Sequence, residues 1–167
     1  MCLNLAEADR MLAACRQAKV KLMYAAELCI APKYVRLKQL LDSGALGQPV
    51  LIKQSEKHAG PHAPHFLDVG RAGGGVTIDM GCHAIQFFRW MLGRLPITSV
   101  YAQMGTHVHT RKTRGDDNAI LILEFANGAM GVAEESWTKL GGCASTKSHP
   151  WLIRDSPMMA LLAARGL

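Results

Sequence analysis

Apolar residues recur through the first part of the chain at the three- and four-residue spacing of helices. This spacing predicts a helix from Leu5 to about Ala18, which Asn4 would cap with Glu7 as its capping-box partner. A second helix is predicted from about Pro32 to Leu41, since proline suits a first helical turn. Between the two helices, the apolar run from Val20 to Tyr24 predicts a short strand.

Further along, apolar and polar residues alternate with the period of a strand. The predicted strands run from Val50 to about Lys57, from Ile97 to His107, from Asp117 to Phe125 and from Ala129 to Trp137. Asn127-Gly128 predicts a two-residue hairpin between the last two strands. Largely antiparallel strands beside helices indicate an α+β (α/β) fold.

The candidate chemistry is concentrated between Arg71 and Met91. Three glycines, Gly73 to Gly75, precede an apolar helical pattern that Thr77 is placed to cap. Asp79 and His83 share one face of that helix. A carboxylate beside an imidazole favours its protonated form, and such a pair can exchange a proton with a substrate hydroxyl. An ordinary capped amphipathic helix with one polar pair at its edge fits the same pattern, so both interpretations stay open.

The segment from His58 to Asp68 is a loop with two prolines and three histidines. It is best interpreted as the wall of a pocket for a polar ligand. A metal site built from His58, His62, His65 or His83 is an alternative, but this spacing fits no established zinc pattern, and we expect no bound metal.

Composition narrows the class of protein. The 167 residues suit one domain, or one domain with a piece of another, and 49% hydrophobic content is enough for a core. The net charge of +6 is spread along the chain, which argues against nucleic-acid binding. Five cysteines without a C-x-x-C pair indicate free thiols, so we expect a cytoplasmic protein without a membrane segment.

Five stretches of this chain resemble the glucose-fructose oxidoreductase / inositol dehydrogenase / rhizopine catabolism (Gfo/Idh/MocA) family of NAD(P)-dependent oxidoreductases. They run in the family's order through most of Leu3 to Gly142, and the most specific pattern is GGG-x-x-x-D-x-G-x-H. The stretches are LAEADRMLAAC, VKLMYAAELCIAPKYVRLKQLLDSGALGQPV, GPHAPHFLD, AGGGVTIDMGCHAI and DDNAILILEFANGAMGVAEESW.

The resemblance implies a two-domain enzyme. A Rossmann domain would hold the nicotinamide cofactor, and a C-terminal domain with an open, mixed, largely antiparallel sheet and helices on one face would supply substrate contacts and an oligomer interface. The corresponding boundaries are 1–30 for a helix-and-strand remnant of the Rossmann domain, 31–144 for the C-terminal domain and 145–167 for an atypical, disordered tail.

The resemblance also implies roles for individual residues. His83 would be the general acid/base on a sugar or cyclitol hydroxyl, and Asp79 would orient the substrate and tune His83. His62, Asp68, Gly74 and Gly75 would line the substrate pocket, and Glu27 would lie near the cofactor.

Two family features are missing from the sequence. It contains neither a G-x-G-x-x-G after a strand nor the Glu-Lys-Pro motif that carries the family's catalytic lysine. We therefore expect a fragment that acts on a sugar or cyclitol but neither binds NAD or NADP nor transfers hydride alone. The alternatives are a non-catalytic interaction module, forming homo-oligomers through the open sheet, and a histidine-based metal enzyme.

Overall fold

The computed structural model describes residues 2–139 and the backbone of residues 151–154. The helices are α1 (Leu5–Gln17), α2 (Pro32–Asp42), α3 (Val69–Ala72) and α4 (Cys82–Met91), with a π-helical turn at Thr77–Gly81 and 3-10 turns at Glu27–Cys29 and Pro64–Leu67. The strands are β1 (Pro49–Lys57), β2 (Ile97–Gly105), β3 (Asn118–Phe125), β4 (Met130–Ser136) and β5 (Trp151–Arg154).

The strands form one mixed sheet in the order β2-β3-β4-β1-β5. β1 and β4 are parallel, and the other three pairs are antiparallel. The predicted hairpin between β3 and β4 is present, with Gly128 at a φ of 81° and Asn127 Oδ1 accepting from the Ala129 N–H. The prediction of an open, mixed, largely antiparallel sheet is thus confirmed.

The core lies on one face of this sheet, beneath α4. Phe87 and Phe88 of α4 are almost completely buried, and Tyr34 of α2 packs on Phe87 with ring centroids 5.0 Å apart. The opposite face of the sheet is open, and Ile120 and Ile122 of β3 are exposed on it. This layering leaves the start of α4 at the edge where the parallel strands β1 and β4 end.

The N-terminal helix forms as predicted, but the strand after it does not. Asn4 Oδ1 accepts from the Glu7 N–H, and the Glu7 carboxylate accepts in return from the Leu3 N–H. No residue of α1 is buried. Residues 20–24 are in no strand, because the described residues offer this segment no neighbouring strand for a hydrogen-bonded ladder.

The expected tail contains a strand that the sequence pattern did not indicate. Trp151–Arg154 forms β5 and pairs antiparallel with the Pro49–Lys53 end of β1. A strand of four residues is too short for alternation to identify it, and its partner supplies the ladder. The remainder of 145–167 lies outside the described residues.

Candidate functional site

The helix that carries Asp79 and His83 is capped from a distant loop. Thr77 lies inside the π-helical turn rather than at the predicted N-cap position. Asp116 takes the capping role instead: its Oδ2 accepts from the Thr77 N–H at 2.8 Å and from the Thr77 hydroxyl at 2.6 Å. Its Oδ1 accepts from the Gly75 N–H at 3.2 Å. Local spacing could not reveal this cap, because β2 lies between the two segments in the chain.

The glycines Gly73 to Gly75 allow this segment to lie close to Asp116. A Cβ atom at Gly75 would overlap the backbone of Asp116, and one at Gly74 would collide with the Ile78 side chain. Gly73 ends α3 in the left-handed conformation, with a φ of 86°. The glycines therefore have a packing role in this chain, and their contact with a substrate remains a prediction.

Asp79 is partnered by a tryptophan from the end of β4. The Trp137 indole Nε1–H donates to Asp79 Oδ2 at 3.0 Å, and Trp137 is only 1% exposed. Within the described residues, the Asp79 carboxylate forms no hydrogen bond with His83. The four-residue spacing predicted that Asp79 and His83 share one face of an α-helix. The turn that carries Asp79 is instead π-helical and wider than an α-helical turn.

His83 has a different carboxylate beside it. Its buried Nδ1 lies 3.1 Å from Glu27 Oε1, an ion contact without the alignment of a hydrogen bond. Glu27 begins the 3-10 turn that packs on α4. The residue assigned by resemblance to the cofactor is therefore in contact with His83, and its contact with a cofactor stays a prediction.

A second contact joins the N-terminal segment to α4. The Tyr24 hydroxyl lies 3.6 Å from Cys82 Sγ. This hydrogen bond, together with burial, raises the pKa of Tyr24 to about 12. The segment is thus attached to the helix at two points, at Tyr24 before the 3-10 turn and at Glu27, its first residue.

Sequence reasoning missed a group of buried polar residues under α4. Gln54 and Glu56 on β1 and Glu135 on β4 turn toward the helix-covered face, and each is at least nine-tenths buried. Burial, followed by the proximity of Glu56, raises the pKa of Glu135 to about 9. A signal was available: these residues occupy the inward positions of their strands, where Ile52 and Ala133 are apolar.

The histidine loop packs against itself. His58 and His62 have ring centroids 4.5 Å apart, and His58 Nδ1 contacts the Gly60 carbonyl at 2.5 Å. His65 stacks on Phe66. Across residues 2–139, side chains of His, Cys, Asp and Glu do not gather in a group of three that could hold a metal ion.

Two cavities lie beside this loop. One of about 280 Å³ is lined by Pro61, Leu67, His109 and Trp137, among others. The other, of about 600 Å³, lies between Asp68 and the basic loop at residues 110–114. Asp79 and His83 line neither of them, but Trp137, which lines the first cavity, is hydrogen-bonded to Asp79.

Asp117 anchors the loop that walls both cavities. Its carboxylate accepts from the backbone N–H groups of His107, Val108 and His109 at 2.7–2.8 Å. Burial acts to raise the pKa of this carboxyl, but these donors, together with the Asn118 amide, outweigh it and lower the pKa to about 2. The sequence gave no indication of this anchor, which depends on the path of the loop.

No helix of the described residues is long and apolar enough to span a bilayer.

Comparison with known proteins identifies relatives among the oxidoreductases. The chain is 29% identical over 136 residues to the myo-inositol 2-dehydrogenase of Thermotoga maritima, which covers 80% of this chain and 40% of the relative. It is 32% identical over 135 residues to the uncharacterized oxidoreductase YrbE of Bacillus subtilis, which covers 80% of this chain and 38% of the relative. The chain thus spans about 40% of the length of these curated relatives.

A solved structure has the same fold. GenD2 from gentamicin A biosynthesis, crystallised in complex with NAD, superposes with a TM-score of 0.77 at 29% identity over 90% of this chain and 45% of that one. The model of the GFO/IDH/MocA C-terminal domain matches residues 34–149. The chain therefore belongs to the GFO/IDH/MocA family of oxidoreductases, of which it carries the C-terminal domain.

Proposed function

We propose that this chain is the substrate-handling part of an NAD(P)-dependent oxidoreductase acting on a hydroxyl of a sugar or cyclitol. The observation that carries the proposal is His83 at the carboxyl edge of β1 and β4, with its Nδ1 against Glu27. Ligands of α/β sheets commonly bind at this edge. With Nδ1 directed at a carboxylate, Nε2 is the ring nitrogen left to exchange a proton with a substrate.

The chemistry assigned to the chain is proton transfer and orientation. When a secondary alcohol is oxidised, its carbon gives up a hydride and its oxygen gives up a proton. His83 would accept that proton as general base and return it in the reverse direction. Asp79, whose carboxylate is fixed by Trp137, would orient a neighbouring hydroxyl. His62 and Asp68 would contact more distant parts of the substrate.

The described residues do not fit the pyrophosphate of a dinucleotide. Such a group requires a glycine-rich turn between a strand and a helix, with free N–H groups at the helix start. Here the glycine run follows α3, and the N–H groups of Gly75 and Thr77 already donate to Asp116. The hydride acceptor would therefore be held by another domain or another chain.

The proposal is tested first by polyol binding. Titration of the ¹⁵N-labelled chain with millimolar myo-inositol should shift the amide resonances around Asp79 and His83. The His83→Gln variant should lose these shifts, whereas His107→Gln, a change at an exposed histidine, should retain them. Shifts confined to other regions, or none at all, would refute the proposal.

Hydride transfer is tested separately. The chain alone should show no binding of NADH or NADPH by fluorescence. A fusion to the part of the Thermotoga maritima relative that precedes its matched region should reduce NAD⁺ with myo-inositol, and His83→Gln should lower the rate at least 100-fold. Tight NADH binding by the chain alone would show that the cofactor assignment is wrong.

The second candidate is an oligomerisation module. It is favoured by the open face of the sheet, where Tyr101, Ile120, Ile122 and Met130 are all exposed. Neighbouring apolar side chains of this kind commonly mark an interface with another protein. The two candidates are compatible, because α4 and the proposed site lie on the opposite face.

A further inference from the structure

Two carboxyl groups face each other beneath α4. In the parallel pairing of β1 with β4, Glu56 is the direct partner of Glu135. Strand alternation turns both side chains toward the helix-covered face, where Glu56 is 8% exposed and Glu135 is 1% exposed. Two buried carboxylates on facing positions cannot both remain ionised without compensating charge.

Several polar atoms around this pair lack a hydrogen-bond partner. Both Oε atoms of Glu135, Oε1 of Gln54 and Nε2 of His58 are closed to solvent and have no hydrogen-bond partner in the described part of the chain. The Gln54 amide donates to Glu56, whereas neither oxygen of Glu135 receives a hydrogen bond from the described residues. A proton on one carboxyl would give Glu135 the hydrogen-bond partner that it lacks.

The charges around Glu135 favour its protonated form. Burial is the main cause that raises its pKa, and Glu56, Asp79 and Glu134 raise it further. Lys57 lowers it, but the Lys57 ammonium already forms an ion pair with Glu134 at 3.0 Å.

The charges around Glu56 are more balanced. Burial raises its pKa and Glu27 adds to this, but His83 and His58 lower it, and the Gln54 amide donates to it at 3.3 Å. Of the two carboxyls, Glu56 is therefore the one that gains more from being ionised.

We propose that Glu56 and Glu135 hold one proton between them, so that the facing pair carries a single negative charge at neutral pH. Glu135 is the protonated member, because its two oxygens have no other hydrogen-bond partner in the described part of the chain.

The shared proton is tested by unfolding the chain in urea between about pH 5 and pH 9. The native state would keep a proton that the unfolded state releases, so the unfolding equilibrium constant should rise with pH by at least about 100-fold. Glu135→Gln should abolish most of this rise. The matched control is Glu134→Gln, which changes the adjacent residue on the open face and should preserve most of the rise, because Glu134 is the smallest of the contributions that raise the pKa of Glu135.

A second measurement is made on the native chain, so it does not require the Glu135→Gln variant to fold. The infrared band of a protonated carboxyl should be present in the native chain at neutral pH and absent from the urea-unfolded chain. Absence of this band from the native chain would overturn the shared proton. An unchanged pH dependence in a folded Glu135→Gln variant would do the same.

Discussion

The Glu27 carboxylate meets the imidazole of His83, and this contact joins the segment after α1 to the start of α4. The glutamate side chain is 55% exposed, so solvent screens the contact. The contact nevertheless orients Nδ1 of the His83 ring toward Glu27. This relationship gives the first prediction.

Replacing Glu27 with glutamine should weaken proton transfer only modestly. In the fusion enzyme, Glu27→Gln should lower the rate of myo-inositol oxidation by about two- to fivefold at low salt, and the difference should shrink in high salt. Asp42→Asn, a change at another exposed carboxylate, is the matched control and should leave the rate unchanged. A loss as large as that of His83→Gln would show that Glu27 acts directly on the substrate.

The bond between Trp137 and Asp79 should contribute to stability as well as to the site. Trp137→Phe should lower the free energy of unfolding by about 2–4 kcal/mol, because the hydrogen bond to the Asp79 carboxylate is lost together with part of a buried ring. In a double-mutant cycle with Asp79→Ala, the coupling should be about 1–2 kcal/mol. Trp90→Phe supplies the control cycle and should show no coupling to Asp79→Ala.

The loop anchor at Asp117 should make stability depend on acidity. Its folded-state pKa of about 2 lies below the ordinary value of 3.8, so its contribution is complete above the ordinary value and is lost as the pH falls toward 2. At neutral pH, Asp117→Asn should lower the free energy of unfolding by about 2–4 kcal/mol. The difference in the free energy of unfolding between Asp117→Asn and the native chain should become smaller as the pH falls.

Urea titrations at several pH values measure this effect. Asp9→Asn, on an exposed face of α1, serves as the control and should change little. If this difference in the free energy of unfolding stays constant down to the lowest pH, the charge of Asp117 does not stabilise the loop.

The close approach of Gly75 to Asp116 should tolerate no side chain. Gly75→Ala should destabilise the chain by about 3 kcal/mol, because the added methyl group would overlap the Asp116 backbone and displace the cap of the π-helical turn. Gly44→Ala is the comparison variant. Gly44 has a φ of 75° but open space around it, so this change should lower the free energy of unfolding by only about 1 kcal/mol. Equal losses in thermal unfolding would refute the packing argument.

The open face of the sheet should govern self-association. If copies of the chain pair through this face, Ile122→Lys should shift the molar mass measured by light scattering toward that of a monomer. Val100→Lys, at an exposed position on the other face of the sheet, is the matched control and should leave the mass unchanged. A native chain that is already a monomer at all concentrations would contradict the oligomerisation proposal.

The elements that local patterns could identify are those whose partners are near in sequence. The capping box of α1 and the Asn127-Gly128 hairpin need only adjacent residues, and both form as predicted. The alternation in β3 and β4 likewise separated buried from exposed positions, because one covered face imposes a period of two. The sequence also carried the family resemblance, which the match to residues 34–149 bears out.

The partners of the candidate site residues were decided by the tertiary structure. Asp79 and His83 are close in sequence, yet one is bonded to Trp137 and the other contacts Glu27. Glu56 and Glu135 become a buried pair of facing carboxyls only because β1 pairs in parallel with β4 and this face of the sheet is covered. The strand predicted at Val20–Tyr24 fails for the same reason, since a strand exists only where another strand completes its hydrogen bonds. Sequence thus identified the candidate site residues, and long-range packing determined which side chains they contact.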